Sequence, residues 1–126
     1  LPQATLQAVE LSSELTQFAV EKIKSEKKHK QITFFTTKSE TYCRTSSALS
    51  EELVLLDPPR SGCDSEVISV LARKKPKTIL YISCHPVNLA RDLQALAATY
   101  KVSELQIFDM FPQTAHVENV VLLERK

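Results

Sequence analysis

The residues able to do chemistry gather in a few short stretches. A thiol stands in Ser83-Cys84-His85-Pro86, after the apolar run Thr78–Ser83 and before a segment that reads as helix. A cysteine at the N-terminal end of a helix feels the positive end of the helix dipole, which lowers its pKa and raises its nucleophilicity. The same position also suits a small buried cysteine. Glu118 stands between Val117 and Val120-Val121. A carboxylate in apolar surroundings holds its proton more tightly and suits a general base, although an outward-facing acid has the same sequence. Asp57-Pro58-Pro59-Arg60 follows the apolar run Leu53–Leu56. Two prolines remove two backbone donors and stiffen the loop, which suits the cradle of a flat substrate or simply a rigid turn. Glu10 ends another strand-like segment, where a carboxylate can take a ribose diol or merely begin a turn. His116 reads as orienting or structural. Cys63, beside Gly62, reads as structural, and Cys43 as incidental.

The elements must bring these stretches together. Thr5–Glu10 reads as strand, and Ser12 or Ser13 as the cap of a helix carrying Leu15, Phe18, Ala19 and Ile23 at helical spacing. The basic run Lys24–Lys30 reads as a solvated helix end. Gln31–Thr36 is β-branched and aromatic and reads as strand. Residues 37–51 suit a short helix and a loop. Leu53–Leu56 and Thr78–Ser83 suit strands buried on both faces of a parallel sheet. Asp64 or Ser65 can cap a helix that stops near Pro76, and Pro86 can open another. Val102–Asp109 and Val117–Glu124 read as a closing antiparallel pair. Alternation of this kind predicts an α/β fold, a mostly parallel sheet with a C-terminal antiparallel hairpin and helices on both faces. Ligands of such sheets bind beyond the carboxyl ends of the strands, where the stretches above collect.

Composition narrows the chemistry. The chain has 126 residues, 43% hydrophobic and 25% charged, which predicts one globular domain over residues 1–126. Lys+Arg 16 against Asp+Glu 15 gives a net charge of +1, so no overall polycationic character announces a nucleic-acid partner. There is one glycine, Gly62, which excludes a Gly-rich phosphate or nucleotide loop within the chain. The three cysteines form no CxxC pair and no zinc spacing, and read as reduced thiols of a cytoplasmic protein, with no metal site. No apolar run approaches the ~18 residues of a membrane span, and no leader pattern is visible.

Three motifs, taken in order, carry a resemblance. They are Asp57-Pro58-Pro59-Arg60-Ser61-Gly62, then Tyr81-Ile82-Ser83-Cys84-His85-Pro86 with Ala90-Arg91-Asp92-Leu93, then Phe108-Asp109-Met110-Phe111-Pro112-Gln113-Thr114-Ala115-His116-Val117-Glu118. The set resembles the RNA 5-methyluridine methyltransferases, S-adenosylmethionine-dependent enzymes that methylate uracil C5 in ribosomal and transfer RNA. The resemblance implies a class I methyltransferase fold with a reversed last strand. It implies Cys84 as nucleophile and Glu118 as base, with Glu10 and Asp57 at the cofactor. Pro58, Pro59, Arg60 and His116 would lie at the substrate. The sequence departs from the family at His85, where Asn is usual, and at Val87-Asn88, where Thr is usual. It departs again at Thr37-Lys38-Ser39, where an acid or amide usually touches the adenine.

The resemblance also implies that the first strand with its Gly-rich loop is missing, so the chain is the C-terminal part of a catalytic domain. An RNA-binding barrel or iron–sulfur cluster would belong to upstream chain. A fragment of this kind is expected to be inactive alone and to self-associate through strand edges left open by the missing strand. The rival expectation is a non-catalytic methyltransferase-like module for RNA or protein interaction.

Overall fold

The computed structural model describes residues 5–25, 31–47, 49, 53–110 and 112–126. Most of the basic run after the first helix, residues 26–30, lies outside the described residues. The chain divides into two compact units, residues 1–45 and 46–126.

The first unit runs β1 (Leu6–Glu10), α1 (Ser13–Ser25), β2 (Ile32–Thr36) and α2 (Ser39–Thr45). β1 and β2 pair in parallel, from Leu6 opposite Ile32 to Glu10 opposite Thr36. The helix start is a side-chain cap. The Ser12 hydroxyl accepts from the Leu15 N–H at 3.2 Å, and the Thr16 hydroxyl donates to the Ser12 carbonyl at 2.9 Å. The apolar stripe of α1 is covered only in part. Ala19, Val20 and Ile23 are half-buried, whereas Leu15 and Phe18 are 58% and 68% exposed. Tyr42 of α2 stacks obliquely on Phe35 of β2, with ring centres 5.0 Å apart, and its hydroxyl donates to the Gln7 side chain.

The second unit runs β3 (Leu53–Leu56), α3 (Ser65–Lys74), β4 (Thr78–Ser83), α4 (Pro86–Leu96), β5 (Tyr100–Phe108) and β6 (Glu118–Arg125). Its four strands form one mixed sheet in the order β3-β4-β6-β5. β3 and β4 are parallel, and the closing pair is antiparallel as its two consecutive strands suggested. β6 enters between β4 and β5 and is antiparallel to both. Both helices are punctuated locally. The Asp64 carboxylate accepts from the Glu66 N–H at 2.7 Å, and Lys75 closes α3 in the left-handed region at φ 54°, just before Pro76. Pro86 opens α4, where a missing N–H costs nothing.

Strict alternation sorts the sheet into two faces. Ile79 and Tyr81 of β4 and Val121 and Leu123 of β6 are fully buried, and α4 lies on that face in contact with α3. Leu71 of α3 and Leu96 of α4 complete this core. Leu53 and Leu55 point to the opposite face and are 62% and 59% exposed. Within this unit the described helices therefore cover one face, not two. β1 belongs to the two-stranded sheet of the first unit, and β3 ends the four-stranded sheet of the second.

Candidate functional site

The rim of the four-stranded sheet is fixed by register. β3 ends at Leu56, opposite Tyr81. β4 ends at Ser83, opposite Asn119 of β6, and β5 ends at Phe108, opposite Glu118. Cys84 directly follows Ser83 and Glu118 directly precedes Asn119, so both stand at the same end of the β4–β6 ladder. The buried Asn119 amide reinforces this corner, since its Nδ2 donates to the Ser83 carbonyl at 3.1 Å. Cys84, Glu118 and His116 are half-buried at the rim. The His116 N–H donates to the Thr114 hydroxyl at 3.2 Å. Asp57, Pro59 and Arg60 are exposed in the loop that leaves β3 at the same end, and Pro58 is half-buried. Among the described residues, no group of three or more His, Cys, Asp or Glu side chains is placed to hold a metal ion.

Cys84 sits between the last residue of a buried strand and the cap of a helix. That cap is His85, whose Nδ1 accepts from the Asn88 N–H at 3.3 Å. An asparagine side chain presents an acceptor at similar reach. The Ser83 hydroxyl accepts from the His85 N–H at 3.2 Å and tightens the turn that carries the thiol.

Glu10 belongs to the first unit. It is half-buried at the end of β1, and its Oε1 accepts from the Ser12 N–H at 2.7 Å. Its second carboxylate oxygen has no partner among the described residues. The Thr37 N–H donates to the Glu10 carbonyl at 3.1 Å, so the strand end is held by backbone and side chain together.

The least anticipated feature lies beneath the loop that follows β3. Asp92 of α4 is 3% exposed and both its oxygens are occupied. Oδ2 accepts from the Tyr81 hydroxyl at 2.6 Å and from the Cys63 N–H at 2.9 Å. Oδ1 accepts from Arg91 Nε at 2.9 Å and lies 2.7 Å from its Nη2. A buried charge is tolerated only when it is paired and hydrogen-bonded in this way. Burial, and then the Asp92 carboxylate and the Cys63 side chain, hold the Tyr81 phenol protonated far above its ordinary range. The Asp92 carboxylate likewise holds Arg91 charged more firmly than usual.

The same helix grips the loop backbone directly. Asn88 Nδ2 donates to the Arg60 carbonyl at 2.8 Å. Arg91 Nη2 donates to the Ser61 carbonyl at 3.1 Å and to the Cys63 carbonyl at 3.3 Å. Gly62 closes a turn onto the Pro59 carbonyl at 2.9 Å and adopts φ +83°. A Cβ there would lie 2.5 Å from Arg91 Nη2 and 2.8 Å from Asp92 Oδ2. The single glycine is thus spent on letting this loop press against α4. Sequence reasoning gave Arg91 and Asp92 no role beyond membership of a motif. The signal was present, because Asp92 falls on the buried stripe between Leu89 and Leu96, where an uncompensated acid has no place.

Comparison with known proteins adds the lineage. An uncharacterized RNA methyltransferase of Bdellovibrio bacteriovorus is 44% identical over 117 residues, which is 87% of this chain and 30% of that protein. An uncharacterized RNA methyltransferase of Bacillus cereus is 52% identical over 75 residues, 60% of this chain and 16% of that one. The chain therefore spans less than a third of these relatives. Among solved structures, the tRNA (uracil-54, C5)-methyltransferase of Pyrococcus abyssi, in complex with S-adenosyl-L-homocysteine, superposes with a TM-score of 0.82 at 28% identity. The match covers 97% of this chain and 29% of that one. The N-methyltransferase NodS of Bradyrhizobium japonicum shares the fold alone, with a TM-score of 0.70 at 12% identity, covering 96% of this chain and 52% of that one. The expected α/β architecture, a partial Rossmann-like class I methyltransferase sheet, is the one observed. The family model for tRNA (uracil-5-)-methyltransferases matches from residue 4 to residue 126, so the chain belongs to that family.

Proposed function

We propose that the protein containing this chain transfers a methyl group from S-adenosylmethionine to C5 of a uridine in RNA, with Cys84 as nucleophile and Glu118 as base. One observation carries the reading. The β4–β6 ladder ends with Ser83 opposite Asn119, and the thiol of Cys84 follows the one while the carboxylate of Glu118 precedes the other, at the end of the sheet where ligands of this class bind. Two groups so placed can flank one pyrimidine ring and act on its adjacent atoms C6 and C5. The name of the Pyrococcus neighbour supports a tRNA uridine as substrate.

The cofactor's residues fit in part. Glu10 offers a carboxylate oxygen at a strand end, with its partner oxygen held by a backbone amide, which suits the two hydroxyls of a ribose. Asp57, exposed at the end of β3, is the cofactor residue proposed in the second unit. S-adenosylmethionine supplies an electrophilic methyl group, and with one glycine this chain offers no Gly-rich loop to hold it.

The steps of the protein's own residues follow from uracil chemistry. The Cys84 thiolate bonds to C6, and the C5–C6 π electrons move to C5, making it nucleophilic toward the methyl group. Glu118 then takes the proton from C5. The returning electron pair restores the double bond and expels the thiolate, which regenerates Cys84. Pro58, Pro59 and Arg60 form a stiff loop beside the ring, and His116 lies two residues before the base.

RNA bearing 5-fluorouridine tests this in the full-length protein, because fluorine cannot leave as the proton does. A denaturation-stable protein–RNA adduct is expected with the unaltered protein and none with Cys84→Ser. Glu118→Gln is expected to accumulate the adduct on ordinary uridine RNA. An adduct that survives Cys84→Ser would overturn the assignment.

A further inference from the structure

We infer that Asp92 is a positioning residue, locking the Asp57–Cys63 loop to the strand and helix that flank Cys84 so that loop and thiol keep one fixed geometry. The inference rests on the methyl-transfer reading above and extends it to a residue that touches no reacting atom.

Pro58 and Pro59 have no N–H to give. The loop's backbone from Arg60 to Cys63 is instead held by α4, through Asn88 on the Arg60 carbonyl, Arg91 on the Ser61 and Cys63 carbonyls, and Asp92 on the Cys63 N–H. Of these three α4 residues, Asp92 also reaches the sheet, through the hydroxyl of Tyr81, which stands three residues before Cys84 on β4. One carboxylate therefore joins three pieces of chain, namely the loop, the strand that ends at the thiol and the helix that begins beyond it. An apolar residue would fill the same volume without a desolvation cost, so a buried charge here argues for geometric specification.

The chemistry of the joint makes Asp92→Asn a sharp probe. Both carboxylate oxygens receive donors, so an amide must turn its NH₂ toward either Arg91 or the Tyr81–Cys63 pair. Either orientation breaks one side of the joint while preserving volume. Displacing a reacting group by about 1 Å costs up to roughly 100-fold in rate.

The experiment uses the full-length protein and 5-fluorouridine RNA, with adduct formation in a single turnover counted per titratable site. Asp92→Asn is expected to slow adduct formation by about 10- to 100-fold per site. Tyr81→Phe, which keeps the packing, should slow it less. Amide hydrogen exchange across residues 60–63 should rise in both. Val70→Ala, a truncation of the α3 core, serves as the control for lost stability. It should leave the rate per site and the loop exchange unchanged. Asp92→Asn within twofold of the unaltered rate would overturn the inference. So would loop exchange that does not rise, or a Val70→Ala variant slowed to the same degree. If the unaltered protein itself forms no adduct, it is the methyl-transfer reading that fails, and Asp92's role with it. That failure is recognisable because it needs no substitution.

Discussion

Substituting Gly62 by alanine puts numbers on the contact between loop and helix. At φ +83° an L-residue pays roughly 1–2 kcal/mol for the left-handed backbone. The new methyl would also stand 2.5 Å from Arg91 Nη2 and 2.8 Å from Asp92 Oδ2. Arg91 is 55% exposed at its side chain and can swing aside, but Asp92, 3% exposed and bonded at both oxygens, cannot move without breaking a charge-assisted hydrogen bond. Such a bond is worth about 1.5–3 kcal/mol. Alanine stiffens the unfolded chain and returns about 0.4–1 kcal/mol. The expected net loss is about 2–4 kcal/mol. Urea unfolding at constant m-value reads it as a lowered midpoint. Repeating the substitution in an Arg91→Ala background separates the two clashes. Because Asp92 is the immovable neighbour, most of the loss should persist there. A loss under about 0.5 kcal/mol, or its full relief by Arg91→Ala, would refute the view that the glycine serves the buried carboxylate.

Further outcomes follow from other parts of the structure. His85→Ala should lower stability by about 1 kcal/mol through loss of the α4 cap, and His85→Asn should restore most of it in the same denaturation assay. Tyr100 is 3% exposed, its hydroxyl donates to the Pro76 carbonyl at 2.9 Å, and burial pushes its phenol up to about 12. A raised folded value means that the stabilisation is whole below pH 10 and is lost as pH rises through about 12. Unfolding followed across that window should show a shallower slope in Tyr100→Phe, with Tyr81 supplying the remainder. Calorimetry on the 126-residue chain alone should register no micromolar binding of S-adenosylmethionine, since its one glycine is committed to the loop against α4. Light scattering of that chain should report self-association through the open edges of β1 and β3, and a clean monomer would rule this out.

What the sequence disclosed was what neighbours along the chain decide. Asp64, Pro76 and Pro86 mark helix ends by local hydrogen bonding and ring geometry, so the ends of α3 and the start of α4 were legible. Leu53–Leu56 and Thr78–Ser83 were legible as strands because their apolar runs leave few alternatives. That β6 would wedge between β4 and β5 was not, because register is settled by contacts distant in sequence. Cys84 and Glu118 stood out by residue type, yet only the Ser83–Asn119 pairing relates one to the other. Asp92 was overlooked because an acid in a helix is ordinarily a solvated one. Cys63 was read as structural, and its backbone amide, which donates to Asp92, is part of the joint.

The place of β6 has a consequence for how the protein is made. Among the described strands it is the last in chain order, yet it supplies one flank to β4 and the sole flank to β5. During synthesis β5 leaves the ribosome before β6, its partner among the described strands, and of those strands β4 has until then only β3. Residues 118–125 must arrive before the sheet can close, and the ladder they form spans sequence distances that slow folding. For that interval the apolar residues of β5, Val102, Leu105, Ile107 and Phe108, form an unpaired strand of the kind that invites aggregation. A nascent chain stalled short of residue 118 would be a natural client for a chaperone, and loss of residues 118–125 would remove a strand flanked on both sides rather than trim an edge.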